Sequence, residues 1–184
     1  MTKETNGQRS VKNLTTLKKL ELILFGPDRA FLNSLKPHSA NLPYISYELG
    51  FGPQVAQNAR LDAFWSTPMM GAELFGAAPP FPLHQAQVLR TPEPQKQKGF
   101  PRYAIVGVAV HQDDPKDPEY NLRLIMGSLL TAVKEFNFKN EDPIRRVGIL
   151  PEDLELNRLT PEIAFAIIKE FYERDFADRL PNAL

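Results

Sequence analysis

Tyr103-Ala104-Ile105-Val106-Gly107-Val108-Ala109-Val110 is a nearly unbroken apolar run of strand length. Apolar residues without alternation over so short a stretch predict a central strand covered on both faces, as parallel sheets require. The next segment sets the class. From about Glu119 to Phe136, Leu122, Met126, Leu129, Val133 and Phe136 recur at steps of three or four, the stripe of an amphipathic helix. Arg146-Val147-Gly148-Ile149-Leu150 then reads as a further strand, stopped by Pro151. Thr160-Pro161 reads as an N-cap followed by proline at the first helical position, opening a helix expected to bury Ile163, Ile167 and Phe171.

The same alternation runs through the first half. Leu20-Glu21-Leu22-Ile23-Leu24-Phe25 predicts a buried strand ended by Gly26-Pro27. Asp28 is a candidate cap for a helix whose Phe31, Leu32 and Leu35 share a face before Pro37. Tyr44 to Leu49 predicts a second strand, closed by Gly50-Phe51-Gly52-Pro53, and Leu61-Asp62-Ala63-Phe64-Trp65 a third. Between Ala77 and Pro101 stand Pro79, Pro80, Pro82, Pro92, Pro94 and Pro101, so this segment is expected to be mostly loop. Within it Gln85 to Leu89 suits an edge strand. Residues 1–16 are polar and without apolar period, and are expected to be a disordered tail before a single domain over 17–184. The expected fold is α/β: a three-layer α/β/α sandwich with a mixed, largely parallel sheet. Ligands in such sheets sit beyond the carboxyl ends of the strands, here at 50–53, 66–76, 111–118 and 151–160.

Composition narrows the function classes. Among 184 residues, 22 Lys+Arg balance 22 Asp+Glu, so duplex nucleic acid and membrane surfaces are not expected partners. The absence of Cys excludes disulfides, thiolate zinc sites and thiol catalysis. No apolar run has membrane-span length and the first residues lack a signal-peptide core, so a cytoplasmic protein is expected. There are 17 prolines, and Pro27, Pro53, Pro68 and Pro151 fall at strand ends, where a phosphate cradle would need free N–H groups.

The run Leu61-Asp62-Ala63-Phe64-Trp65-Ser66-Thr67-Pro68-Met69-Met70-Gly71 resembles the macro-domain signature, a strand ending in Asp-Ala followed by an Asn- and Gly-rich loop. The element order from about Leu20 to Glu173 is similar to the phage-tail-associated branch of macro-domain-like proteins, including a segment like Phe81 to Val88 between the halves. The resemblance implies ADP-ribose or a related nucleotide as ligand and, in some members, hydrolysis of ADP-ribose linkages. It places ligand-binding roles on Asp62, Ser66, Met69, Met70, Gly71 and Gly76, with Met69 or Met70 standing where the family has Asn. The second phosphate loop departs from the pattern: Leu150-Pro151-Glu152-Asp153-Leu154-Glu155-Leu156 has no glycine, and its acids would repel a diphosphate.

Each of these residues also has a plainer reading. Asp62 suits bonding to nearby backbone amides, and Met69 and Met70 suit core filling. His111, Asp113, Asp114 and Asp117 resemble an oxygen-rich metal loop, but Pro115 and Pro118 break it and a solvated acidic turn is preferred. The same reading applies to Glu152, Asp153 and Glu155. His38, His84 and His111 lie in separate segments and Ser66 lacks the nucleophile-elbow glycines, so no catalytic residue, metal or cofactor is assigned. Lys96, Lys98, Phe100, Arg102 and Tyr103 form a basic and aromatic patch that suits contact with an acidic partner, but a solvated loop is the preferred reading.

Three functions are expected in this order. The first is a degenerate macro-domain-like binding module, non-catalytic, for a nucleotide, an ADP-ribose-like molecule or a protein partner. The second is an ADP-ribose or nucleotide hydrolase using Asp62 with an acid from 152–155. The third is an interaction or assembly protein using the Pro-rich 77–101 segment as an exposed arm.

Overall fold

A computed structural model of the chain describes residues 20–67, 85–107 and 117–176. Six strands form one sheet in the order β2-β1-β6-β3-β5-β4, comprising β1 (Glu21–Gly26), β2 (Ile45–Leu49), β3 (Ala63–Ser66), β4 (Ala86–Arg90), β5 (Tyr103–Gly107) and β6 (Arg146–Ile149). All neighbours are parallel except β4, which runs antiparallel to β5 at one edge. The mixed, largely parallel α/β sandwich expected from the alternating elements is the fold observed.

Alternation along the strands divides the core in two. Leu22, Leu24, Ala63, Trp65, Ile105, Val147 and Ile149 face a large cluster built with α4 (Pro118–Lys139) and α5 (Pro161–Phe176). Ile23, Phe25 and Phe64 face the opposite way, onto Val55 and Ala56 of α2 (Gly52–Asn58). Helix α1 (Arg29–Leu35) adds Leu35 to the larger cluster. Right-handed crossovers account for this division. The chain moves one way across the sheet from β1 to β2 and from β5 to β6, so α1 and α4 share a face. It moves the other way from β2 to β3, which sends α2 to the second face.

Caps and prolines start the helices. Asp28 accepts from the Phe31 amide at 3.1 Å, and Asp117 accepts from the Glu119 and Tyr120 amides at 3.0 and 3.2 Å. The expected acidic turn around His111 thus has one described member, Asp117, and that member is a helix cap. Pro53, Pro118 and Pro161 each stand in a first helical turn, where the missing N–H has no intrahelical partner to lose.

Several boundaries differ from the sequence expectation. Gly50-Phe51-Gly52-Pro53 is not a plain loop, because Gly52 and Pro53 already belong to α2. Leu61 lies outside β3, since its amide bonds Ala56 O and finishes the α2 turn. Ile163 is 41% exposed rather than buried, because Ala164, Ile168 and Tyr172 form the inward stripe of α5. Phe171 is half-buried, with the Arg174 guanidinium 4.6 Å from its ring centre. From residue 85 onward the Pro-rich segment is more ordered than its composition suggests. Residues 77–84 lie outside the described set, but beyond them come the expected edge strand β4 and a helical turn, α3 (Glu93–Gln97). Thr91 Oγ1 donates to Pro101 O, and Phe100 packs against Phe64 at a centroid distance of 6.2 Å. Residues 86–101 are therefore part of the domain rather than an exposed arm.

Gly148 shows how tightly β6 is held. A Cβ there would come within 2.5 Å of Leu61 Cδ1 and 2.9 Å of the Phe64 ring. Gly148→Ala is expected to destabilise the fold by about 1–3 kcal/mol through overpacking, read as a lower urea midpoint at unchanged slope.

Candidate functional site

The amino and carboxyl ends of the parallel strands carry different chemistry. Asp62 immediately precedes β3, at the amino end. One of its carboxylate oxygens accepts from the amides of Arg145 and Arg146 at 2.8 and 3.0 Å. The other accepts from Arg102 Nη2 at 3.0 Å. Arg102 is itself tied to Asp142 and Pro143 O, and lies over the Tyr103 ring. The basic and aromatic patch expected to be a solvated loop is thus in part internal, with Arg102 committed to this network and Phe100 to the smaller core cluster.

Ser66 ends the same strand on the opposite side and is 2% exposed. Four steps of extended chain place it roughly 13 Å from Asp62, at the other end of the sheet. Met69, Met70, Gly71 and Gly76 lie outside the described residues, as do His84, His111, Asp113 and Asp114. Of the expected ligand-binding residues only Asp62 and Ser66 are described, and they stand at opposite ends of β3.

The chemistry beyond the carboxyl end of β6 belongs to residues that in sequence read as solvated acids or carry no signal at all. Pro151–Leu154 forms a 3-10 turn, and Glu155 comes after it in the left-handed region with φ 58. A non-glycine residue in that conformation is held there by its surroundings. Glu155 is only 7% exposed, accepting from Asn121 Nδ2 and from Arg158 Nη1, the latter at 3.2 Å. This corrects the solvated reading for Glu155; Asp153 is half-buried, and Glu152 is exposed as expected. Asn121 lies in the first turns of α4, 9% exposed, and its Oδ1 is buried without a hydrogen-bond partner among the described residues. Burial pushes the Asp153 carboxyl up to about 6, with Glu152 and Glu155 adding like-charge repulsion. The cluster is rich in acceptors, with Arg158 the one cation in contact with it among the described residues.

Comparison with family models, curated proteins and solved structures returns no match. Among the described residues no three His, Asp or Glu side chains are placed to hold a metal ion. No described helix is long and apolar enough to cross a membrane.

The sequence signals for this cluster are weak. Asn121 is a polar residue beside the apolar stripe of α4, and Arg158 sits three residues from Glu155, a spacing common on any solvated surface. Nothing in the sequence alone pairs residue 121 with residue 155.

Both ends of the sheet have measurable consequences for stability. Asp62→Ala removes one acceptor group from three donors, and is expected to cost about 2–4 kcal/mol in chemical denaturation. For Asp153 the folded pKa lies above the unfolded value of 3.8, so its favourable contribution is complete below about pH 4. That contribution is lost as pH rises through about 6. Asp153→Asn should match the parent in thermal melts at pH 4 and exceed it at pH 8 by about 1–2 kcal/mol.

Proposed function

We propose that this chain is a macro-domain-like binding module without catalysis of its own, whose phosphate cradle has been replaced. The observation that carries this reading is the turn after β6. A diphosphate is held by converging backbone N–H groups, which glycines allow and acids oppose. Here the turn opens on Pro151, which has no N–H, and presents Glu152, Asp153 and a buried Glu155. The element order supports the frame: an opening strand–helix unit, the Asp62 strand, an antiparallel edge strand, and then strand, long helix, strand and helix.

Hydrolysis is disfavoured by placement. Asp62 lies at the amino end of the sheet and the Glu152–Glu155 turn at its carboxyl end, so the two acids of that mechanism cannot converge on one water. Asp62 also has both carboxylate oxygens engaged within the fold. An acceptor-rich turn suits a ligand or partner that brings hydrogen-bond donors rather than phosphates.

Isothermal titration with ADP-ribose tests the loss of the cradle. No saturable heat is expected at about 100 μM protein, and about 1 mM ligand should leave the melting temperature unmoved. Micromolar binding would overturn the proposal.

A further inference from the structure

The opposite edge of the sheet from β4 carries a second feature. Strand β2 has β1 as its only neighbour among the described residues. Tyr44 O accepts from the Leu22 amide, and the Gly50 amide donates to Gly26 O. In a parallel pair such bonds recur at every second residue, so Ser46 and Glu48 also face β1. The N–H and C=O groups of Tyr47 and Leu49 therefore point to the open side.

The side chains of these two residues form the floor of a groove. Arg29, Leu32, Asn33 and Lys36 form its wall, a stripe at helical spacing that begins in α1. Its volume is about 220 Å³. This is below the roughly 300–1,000 Å³ of small-molecule sites, and suits side chains of an extended segment better than a nucleotide. Leu49 is 38% exposed, and Phe51, two residues on, is 65% exposed. Lys36 Nζ sits 5.9 Å from the centre of the Tyr47 ring, and the Tyr47 hydroxyl is taken by Ser39 at 2.6 Å.

Charge selects the occupant. Both ionised residues of the lining are cations, Arg29 and Lys36, and neither is in an ion pair among the described residues. Since the whole chain is neutral, this positive charge is local. Residues 1–19 carry Lys3, Arg9, Lys12, Lys18 and Lys19 against Glu4, the wrong sign to fill the groove. A second copy pairing β2 to β2 would bring both pairs of cations together.

We propose that β2 is a docking edge for an extended acidic segment of a partner protein, added as a seventh strand. Its backbone bonds Tyr47 and Leu49, and its side chains on the α1 face enter the groove. Arg29 and Lys36 are two helical turns apart, about 10.5 Å along the axis. In a strand, residues i and i+4 on one face lie about 13 Å apart, within reach of two long flexible side chains. The matching pattern is acid-x-apolar-x-acid, with the apolar residue over Leu32 and Leu49.

The test uses the full chain and a fluorescein-labelled peptide, Thr-Glu-Thr-Val-Thr-Glu-Thr, read by fluorescence polarisation. Binding with a Kd below about 1 mM is expected, weakening at least about tenfold in the double variant Arg29→Glu, Lys36→Glu. Both side chains are exposed, so this variant should keep the parent circular dichroism spectrum and melting temperature. A peptide N-methylated at alternate amides should lose binding, because strand addition needs those donors. Three results would each overturn the proposal. One is no binding of the parent peptide up to about 1 mM. Another is equal binding by the N-methylated peptide, which removes strand addition; displacement by inorganic phosphate would then mark a simple anion site. The last is equal binding by the charge-reversed protein.

Discussion

The Asp62 carboxylate ties together three strand starts that are distant in sequence. Its oxygens hold the amides of Arg145 and Arg146 at the entrance to β6, and the Arg102 guanidinium just before β5. Its own amide and carbonyl bond Arg146 O and the Tyr103 amide. Adjacent parallel strands have no hairpin to set their register, so a shared anchor at their amino ends does what a turn does elsewhere. With Asp62 in place, Ala63 pairs with Tyr103 on one side and Val147 on the other. The contacts of Gly148 with Leu61 and Phe64 depend on that alignment.

This anchor also sets the chemistry of the two sheet ends apart. The acid that looks most like a ligand-binding residue in sequence is spent on the amino end. Acceptors at the carboxyl end come instead from Asn121, Asp153 and Glu155, gathered where the β6 turn meets the first turns of α4. The prolines change meaning too. Pro53, Pro118, Pro151 and Pro161 stand in the first turn of a helix or 3-10 turn, so they start elements rather than merely stiffen loops. At Pro151 both readings hold, since the residue that starts the turn also withholds a donor from the site.

The strongly patterned elements were legible from residue types. The stripe of α4, the buried run of β5 and the capped start of α1 all appear where periodicity and caps put them. Less legible were two of the three short helices, α2 and α3. Gly52–Asn58 begins within a Gly-Pro turn, and Glu93–Gln97 carries Pro94 in its first turn, so local breakers hid both. Ile163 shows the limit of periodicity, because a residue one step from the apolar stripe is buried only if the neighbouring element reaches it.

By itself the sequence determined the α/β class and the strongly patterned elements, because these derive from local period and local sterics. Tertiary structure decided the strand order, the placement of Asp62 and Ser66 at opposite ends of β3, and the meeting of Asn121 with Glu155. Among the described residues it also left Tyr47 and Leu49 on an edge with no neighbouring strand, beside Arg29 and Lys36. Such pairings join residues far apart in the chain, and no local propensity encodes which strand becomes whose neighbour. They are set when crossovers of fixed hand bury both faces of the sheet at once.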